Sequence, residues 1–303
     1  MNIKRSQFLA LALAVAASPA LVACGGKSAT SLKPVQINPE GEIKPREISW
    51  LLSRAANGAV INTMQEIAEE YAKDHKGFKL TLITTPDRPS YIQKYETLAA
   101  ANKLPELFDT DATPFAQKLA KQNRMVDVAA LLNDLGITDS FRKAALDYQR
   151  FDDGSLYMIP LEYGIEVFWY NKALFEAAGA EVPRSLDDFP ELCRKLAASG
   201  VTPIALDGLD GWPLERYVAF YPFRMEGEDY IKKLKKGEAA FADEPGKKMA
   251  QWLHDLGEAG AFQKGFSSVG YTDAQNLFTS GKAAMYCMGT WELPSLATTD
   301  LPE

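Results

Sequence analysis

Ionisable side chains follow each of the first three predicted strands, and they suit hydrogen bonding to a small polar ligand. Asp109 and Asp111 come after the short strand ELF, and Arg54 follows the strand REISWLL. Carboxylates accept hydrogen bonds from hydroxyl groups, and a guanidinium donates two parallel bonds to a hydroxyl pair or a carboxylate. The two aspartates could instead cap the following helix. Asp87 and Arg88 follow the second strand, where Asp-Arg-Pro also favours a turn.

The order of predicted elements places these loops at one edge of a sheet. Strands at residues 46–52, 78–84 and ELF alternate with helices that begin near Gly58, Pro89 and Pro114. Such alternation predicts an α/β domain with a largely parallel sheet. Ligands of such sheets bind at the carboxyl ends of the strands, and all three loops follow strand ends.

The second half of the chain repeats the alternation with more helix. Residues 156–171 are rich in aromatic and β-branched residues and predict a long extended run. Further strands are expected at 203–206 and 283–288, separated mostly by helices. We therefore expect an N-terminal α/β lobe over residues 46–163 and a helix-rich C-terminal α/β lobe over residues 164–303.

The first 45 residues indicate export and anchoring. Lys4 and Arg5 precede an apolar run over residues 8–23, which is typical of a secretory signal peptide at residues 1–23 and too short to span a bilayer. The run ends Leu-Val-Ala-Cys and resembles the lipobox of bacterial lipoproteins. That resemblance implies a lipid anchor on Cys24; the alternative is an ordinary signal with a chance Cys. Residues 24–45, rich in Gly, Pro, Ser and Thr, predict a flexible tether outside the cytoplasmic membrane.

Charge and metal-ligating residues exclude several classes of function. The net charge of −7 argues against a nucleic-acid partner, which requires basic surfaces. The chain has only two histidines and no C-x-x-C, so we expect neither a zinc site nor a cofactor. Cys193 and Cys287 lie in apolar segments and are expected to be buried free thiols, with a disulfide as the alternative. Asp207 and Asp210 lack the spacing of a calcium loop and predict a turn.

Two segments resemble the family 1 extracellular solute-binding proteins of ABC importers, the group that includes the maltose-binding protein. One is YMIP at residues 157–160 with FWYNKALF at 168–175; the other is FTSGKAAM at 278–285 with Gly289-Thr290-Trp291. The resemblance implies a two-lobed periplasmic-binding-protein-like fold with a hinge, a ligand held in the interlobe cleft, a monomer and an ABC permease as partner. Family members continue well beyond the G-x-W motif, so we expect a fold that is incomplete at the C-terminus.

The resemblance also implies ligand-binding residues. Trp291 matches the family position that stacks on the ligand, with Glu292 beside it. Trp212 and Glu215 lie in a helix start that often contacts ligand, and Tyr163 and Glu162 lie at the first hinge crossing. With the strand-end residues, the candidate ligand-binding set is Trp291, Trp212, Tyr163, Asp111, Arg54, Asp109, Glu162 and Glu215. Glu166 is a weaker candidate, and Trp50 is expected in the core.

Aromatic faces with nearby acids favour a mono- or oligosaccharide, because the rings pack on sugar C–H groups and the acids accept sugar hydroxyls. Polyamines and phosphorylated polyols are alternatives within the family. A glycoside-active enzyme needs two carboxyl groups roughly 5–10 Å apart across the bond. Asp109 with Asp111, or Glu162 with Glu166, would be neighbours on one wall, so an enzyme is not expected. A sensor partner that presents the ligand to a receptor would have the same sequence pattern.

Overall fold

The computed structural model describes residues 47–53 and 59–298. Their contacts form two compact units: residues 110–161, and residues 47–109 together with 162–298. The lobes expected at residues 46–163 and 164–303 remain a prediction. Arg54 and Cys24 lie outside the described residues, as do the segments predicted to be a signal peptide and a tether.

The first sheet is parallel, as the alternation of strands and helices predicts. Its strands are β1 (Glu47–Leu51), β2 (Lys79–Ile83) and β3 (Leu107–Phe108), in the order β2-β1-β3. Helix α1 (Ala59–Asp74) and helix α2 (Arg88–Ala100) connect them. Trp50 is buried, which confirms its expected place in the core. Helix α2 begins after Asp87, whose side chain accepts the Ser90 N–H, so the Asp-Arg-Pro segment is a helix cap.

The unit of residues 110–161 is helical. It contains α3 (Pro114–Lys121), α4 (Val128–Asp134) and α5 (Lys143–Tyr148). Its core is apolar, and the Val128 N–H donates to the Leu156 carbonyl at 2.9 Å. Leu156 forms only an isolated bridge with Arg150. Within the expected extended run over residues 156–171, a strand forms only at Glu166–Tyr170, because a strand forms only where a partner strand pairs with it.

The second sheet is mixed, unlike the first. Strand β4 (Glu166–Tyr170) pairs antiparallel with β6 (Ala283–Gly289), and β5 (Thr202–Ala205) pairs parallel with β6. The order is β4-β6-β5, and every residue of the central strand β6 is buried. The sequence predicts a largely parallel sheet only for the first half of the chain, so the antiparallel pairing of β4 with β6 is a feature that only the structure reveals.

Helices cover the second sheet, and two predictions about its core are confirmed. The helices are α6 (Lys172–Ala177), α7 (Phe189–Ala198), α8 (Trp212–Glu226), α9 (Tyr230–Lys236), α10 (Glu244–Glu258), α11 (Tyr271–Thr279) and α12 (Leu293–Thr298). Cys193 and Cys287 are free and buried, and burial raises the pKa of each thiol to about 12. Asp207 forms the expected turn, because its Oδ1 accepts the Asp210 N–H at 3.0 Å.

None of the helices within residues 47–53 and 59–298 combines the length and apolar composition needed to cross a membrane. In the same part of the chain, no three His, Cys, Asp or Glu side chains are grouped to hold a metal ion.

Candidate functional site

Three aromatic side chains, Trp212, Tyr271 and Trp291, lie together and are called here the aromatic cluster. The Trp212 ring centroid lies 6.2 Å from that of Trp291 and 6.3 Å from that of Tyr271. Trp291 follows β6, and Trp212 begins α8 after β5 and its turn. Because β5 and β6 are parallel, their carboxyl ends meet at one edge, and both tryptophans arise there.

The Trp291 ring is partly exposed, while its indole N–H is already hydrogen-bonded within the protein. Its side chain is 39% exposed, and its indole N–H donates to the Tyr271 hydroxyl oxygen at 3.1 Å. The Tyr271 hydroxyl donates to one carboxylate oxygen of Glu292, and the Gln275 amide donates to the other. Glu292 is only 1% exposed, so it lies beneath the cluster and away from solvent. Trp291 therefore offers an apolar surface to a ligand.

Arg216 fixes the Trp212 ring. Its guanidinium carbon lies 5.2 Å from the centroid of that ring, a cation–π geometry. The same guanidinium forms a two-bond ion pair with Glu166 of β4, with Nη2 2.8 Å from Oε1. Glu166, a weak candidate for ligand binding, is thus engaged in holding an arginine.

Buried acids dominate the electrostatics under the cluster. Burial and the charge of Glu292 raise the pKa of Tyr271, so its hydroxyl stays protonated. Asp207 is fully buried, and its Oδ2 has no hydrogen-bond partner among the described residues. Burial raises the pKa of Asp207 to about 6. The Asp207 charge also contributes to the raised pKa values of Tyr271 and Tyr286.

The segment that carries Tyr163 is attached to the turn that carries Trp291. The Thr290 N–H donates to the Ile165 carbonyl at 2.9 Å, and the Ile165 N–H donates to Thr290 Oγ1 at 3.3 Å. A Cβ on Gly164 would overlap Thr290 Oγ1, so a glycine permits this close approach. The Tyr163 side chain is 57% exposed.

Both carboxylate oxygens of Asp109 accept hydrogen bonds from residues of the first sheet and the loop after β1. Its Oδ1 accepts the Trp50 indole N–H at 2.9 Å, and its Oδ2 accepts the backbone N–H and the hydroxyl of Ser53, each at 2.8 Å. Its backbone carbonyl accepts the Tyr91 hydroxyl. The alternative role of Asp109 and Asp111 as a helix cap is wrong, because Thr113 caps α3. Asp111, Glu162 and Glu215 are exposed, and their part in binding remains a prediction.

Sequence reasoning missed Tyr271, Gln275 and Arg216. One signal for Tyr271 was present: it begins a helix directly after Gly270, just as Trp212 begins one after Gly211. The other two residues show their role only through contacts across elements.

Comparison with known proteins identifies the family. The model of the bacterial extracellular solute-binding proteins matches residues 56–300. The chain belongs to this family. The family match begins after β1, covers every other strand of both sheets, and includes the whole aromatic cluster.

Relatives of this solute-binding protein include two curated proteins. An uncharacterised ABC transporter extracellular-binding protein of Pyrococcus horikoshii is 26% identical over 248 residues, covering 78% of this chain and 55% of that protein. A multiple sugar-binding protein of Streptococcus mutans is 29% identical over 150 residues, covering 48% of this chain and 36% of that protein. The chain thus spans about half or less of the length of these relatives.

Solved structures show the same fold. A structure from a study of xylan utilization by Caldanaerobius polysaccharolyticus matches with a TM-score of 0.70 and 26% identity, covering 84% of this chain and 64% of that one. The fold class predicted for this solute-binding protein is thereby confirmed.

Proposed function

We propose that this solute-binding protein serves an ABC importer and captures a neutral mono- or oligosaccharide on the aromatic cluster. The observation that carries the proposal is the exposed Trp291 ring, whose N–H is already donated to Tyr271. Aromatic faces pack on the C–H faces of sugar rings, and they contribute most of the contact area in such sites. The relatives include a multiple sugar-binding protein, and the xylan study concerns a sugar polymer.

The pairing of nearby charges favours a neutral ligand. Arg216 is held by Glu166, and Glu292 accepts bonds from Tyr271 and Gln275. A phosphate ester needs an available cation, and the arginine beside the cluster is already paired with a carboxylate. The cluster offers ring surface instead, which suits the C–H faces of a sugar better than a phosphate ester or a polyamine.

Other residues supply the hydrogen bonds to hydroxyl groups in this proposal. Tyr163 is suited by its exposure and by the attachment of its segment to Thr290, beside Trp291. Glu162 and Glu215 are exposed acids of the same unit. Asp109, Asp111 and Arg54 are proposed as further ligand-binding residues because each follows a strand predicted in the first half of the sequence.

We further propose a lipid anchor at Cys24 and delivery of the sugar, by a monomer, to membrane permease subunits. The lipobox-like sequence supports the anchor, and the name of the Pyrococcus relative supports the transporter. Two acyl chains hold a protein stably at a membrane, whereas a single chain binds only marginally.

A thermal-shift screen with product analysis tests the binding function. The purified full chain is titrated with xylotriose, chitotriose, maltotriose and raffinose, and each sample is then analysed by sugar chromatography. We expect a saturable rise in Tm with one or more sugars, which are recovered intact. Consumption of a sugar would instead indicate a glycoside-active enzyme. No shift with any sugar, followed by a shift with spermidine or glycerol 3-phosphate, would overturn the carbohydrate assignment.

A second experiment tests delivery. Everted or intact vesicles carrying candidate permease subunits are assayed for uptake of the bound sugar with and without this chain. Uptake that depends on the chain supports an importer. Binding without uptake, together with capture of a receptor ectodomain, would favour a sensor partner.

A further inference from the structure

We propose that Glu292 is a positioning residue, which holds Trp291 in place through Tyr271 and does not itself touch the ligand. The ligand-related part of this inference rests on the proposed function; the hydrogen-bond chain can be tested without a ligand. Glu292 is 1% exposed, so direct contact with a ligand is excluded in this conformation. Its two oxygens are instead used by Tyr271 and Gln275.

The chemistry of the donor groups fixes the direction of both hydrogen bonds that link Trp291, Tyr271 and Glu292. An indole N–H can only donate, so the Tyr271 oxygen must accept from Trp291. The single O–H of Tyr271 then donates its hydrogen bond to the Glu292 carboxylate, which has only acceptor oxygens. Trp291, Tyr271 and Glu292 therefore form a single oriented sequence from donor to acceptor.

Helix α11 presents both donors to Glu292. Tyr271 and Gln275 are four residues apart, so they lie on one face of that helix. A buried carboxylate is costly unless its lone pairs are satisfied, and these two donors supply that satisfaction. The pattern Tyr-x-x-x-Gln is thus matched to the acid that follows Trp291.

The carboxylate also strengthens the bond to Trp291. By accepting a hydrogen bond from the Tyr271 hydroxyl, it places more negative charge on the Tyr271 oxygen, which then accepts the indole N–H more strongly. The Trp291 ring is consequently held in one orientation before a ligand arrives. Such preorganisation removes the cost of ordering a side chain on binding, which corresponds to about threefold to tenfold in affinity.

NMR of the indole N–H groups in the ligand-free, full-length protein tests the series of hydrogen bonds from Trp291 through Tyr271 to Glu292. The Trp291 ¹H–¹⁵N indole signal is assigned by its loss in Trp291→Phe. We expect this signal to shift and its proton to exchange faster in Glu292→Gln and in Tyr271→Phe. The indole signals of Trp169 and Trp252, which donate to the carbonyls of Met288 and Leu186, serve as internal controls and should stay in place.

Glu258 is exposed, so Glu258→Gln is the matched control: it also replaces one carboxylate by an amide. A Trp291 signal that is unchanged in both Glu292→Gln and Tyr271→Phe, with Tm showing folded protein, would overturn the inference. Movement of all indole signals together would also overturn it, because Glu292 would then be a general structural residue.

A double-mutant cycle tests the consequence for binding. The probe is whichever of xylotriose, chitotriose, maltotriose and raffinose gives the largest thermal shift. We expect Glu292→Gln to raise Kd about threefold to tenfold in the native background and less than about twofold in Trp291→Ala, because its effect passes through Trp291. Equal penalties in both backgrounds would contradict the inference. If the native chain binds none of these sugars while its indole signals respond as expected, the sugar-binding function fails and the positioning role stands.

Discussion

The ring of Trp291 lies directly over Gly289. A Cβ built on Gly289 would overlap three atoms of the six-membered part of the indole. The Gly289 backbone has φ −77° and ψ 170°, a conformation open to any residue, so the glycine is required by the ring and not by its own backbone. The spacing Gly-x-Trp thus has a physical reason, since the bare α-carbon is the surface on which the tryptophan rests.

Gly289→Ala should displace Trp291 and weaken sugar binding. The methyl group fits the backbone but not the ring, so we expect Kd to rise about tenfold and the free energy of unfolding to fall by about 1–3 kcal/mol. Isothermal titration and urea unfolding measure the two effects. Gly257→Ala is the matched control, because no atom lies within 4 Å of its added Cβ and it is helical; it should stabilise the protein by roughly 0.5–1 kcal/mol. An unchanged Kd in Gly289→Ala would show that the ring position is unimportant for binding.

Trp291→Ala should lower affinity by at least about tenfold while the fold persists. The ring is partly exposed, so its removal deletes ligand contact more than core packing. Titration calorimetry gives Kd, and circular dichroism reports folding. Phe241→Ala is the control, because Phe241 is 58% exposed and in the same unit but outside the cluster, and it should bind normally. Equal affinity of Trp291→Ala and the native chain would remove Trp291 from the site.

Asp109→Ala should destabilise the first sheet. The substitution leaves the buried Trp50 indole and the Ser53 N–H without their acceptor, so we expect a loss of about 2–3 kcal/mol in the free energy of unfolding. Urea denaturation followed by tryptophan fluorescence measures it. Asp74→Ala at the exposed end of α1 should change stability by no more than about 0.5 kcal/mol. Similar stabilities for the two variants would contradict the bonding of Asp109 described above.

Asp207 should make stability depend on pH. Its pKa is about 6 in the folded protein and 3.8 as the ordinary value, so between these values the folded state holds one more proton than the unfolded state. The contribution of Asp207 to the free energy of unfolding therefore falls as pH rises from about 4 to 6, by at most about 3 kcal/mol. Above that window this contribution no longer changes with pH.

Unfolding of the native chain and of Asp207→Asn at pH 4.5 and 7.5 measures the effect. Asparagine keeps an acceptor oxygen for the Asp210 N–H but does not titrate. The free energy of unfolding of the variant should therefore change less between the two pH values than that of the native chain. Asp139→Asn, an exposed residue, should behave like the native chain. The same pH dependence in Asp207→Asn and the native chain would show that another group is responsible.

Cys193 and Cys287 should resist alkylation until the protein unfolds. With thiol pKa values raised to about 12 by burial, the reactive thiolate is scarce at pH 8 and is shielded from reagent. Peptide mapping by mass spectrometry after a pulse of iodoacetamide should find both residues unmodified in buffer and modified in urea. Rapid modification of either residue in buffer would contradict its burial.

Agreement between sequence and structure is good for elements that depend on local signals. Strands β1 and β2 were predicted because their apolar residues are short runs bounded by turns, and α3 because Pro114 opens it. The run over residues 156–165 has the composition of a strand but no strand partner. Composition cannot reveal a partner, so the sequence did not show where within residues 156–171 the paired strand begins.

For the site, the sequence by itself determined the family, the fold class, and two members of the aromatic cluster, Trp212 and Trp291. Motifs and helix starts are local features, so the amino-acid sequence alone contains them. Only the tertiary structure decided that Tyr271 completes the cluster and that Glu292 lies buried beneath it. The physical reason is that these contacts join residues from β6, α8 and α11, and hydrogen-bond partners are chosen by packing across elements.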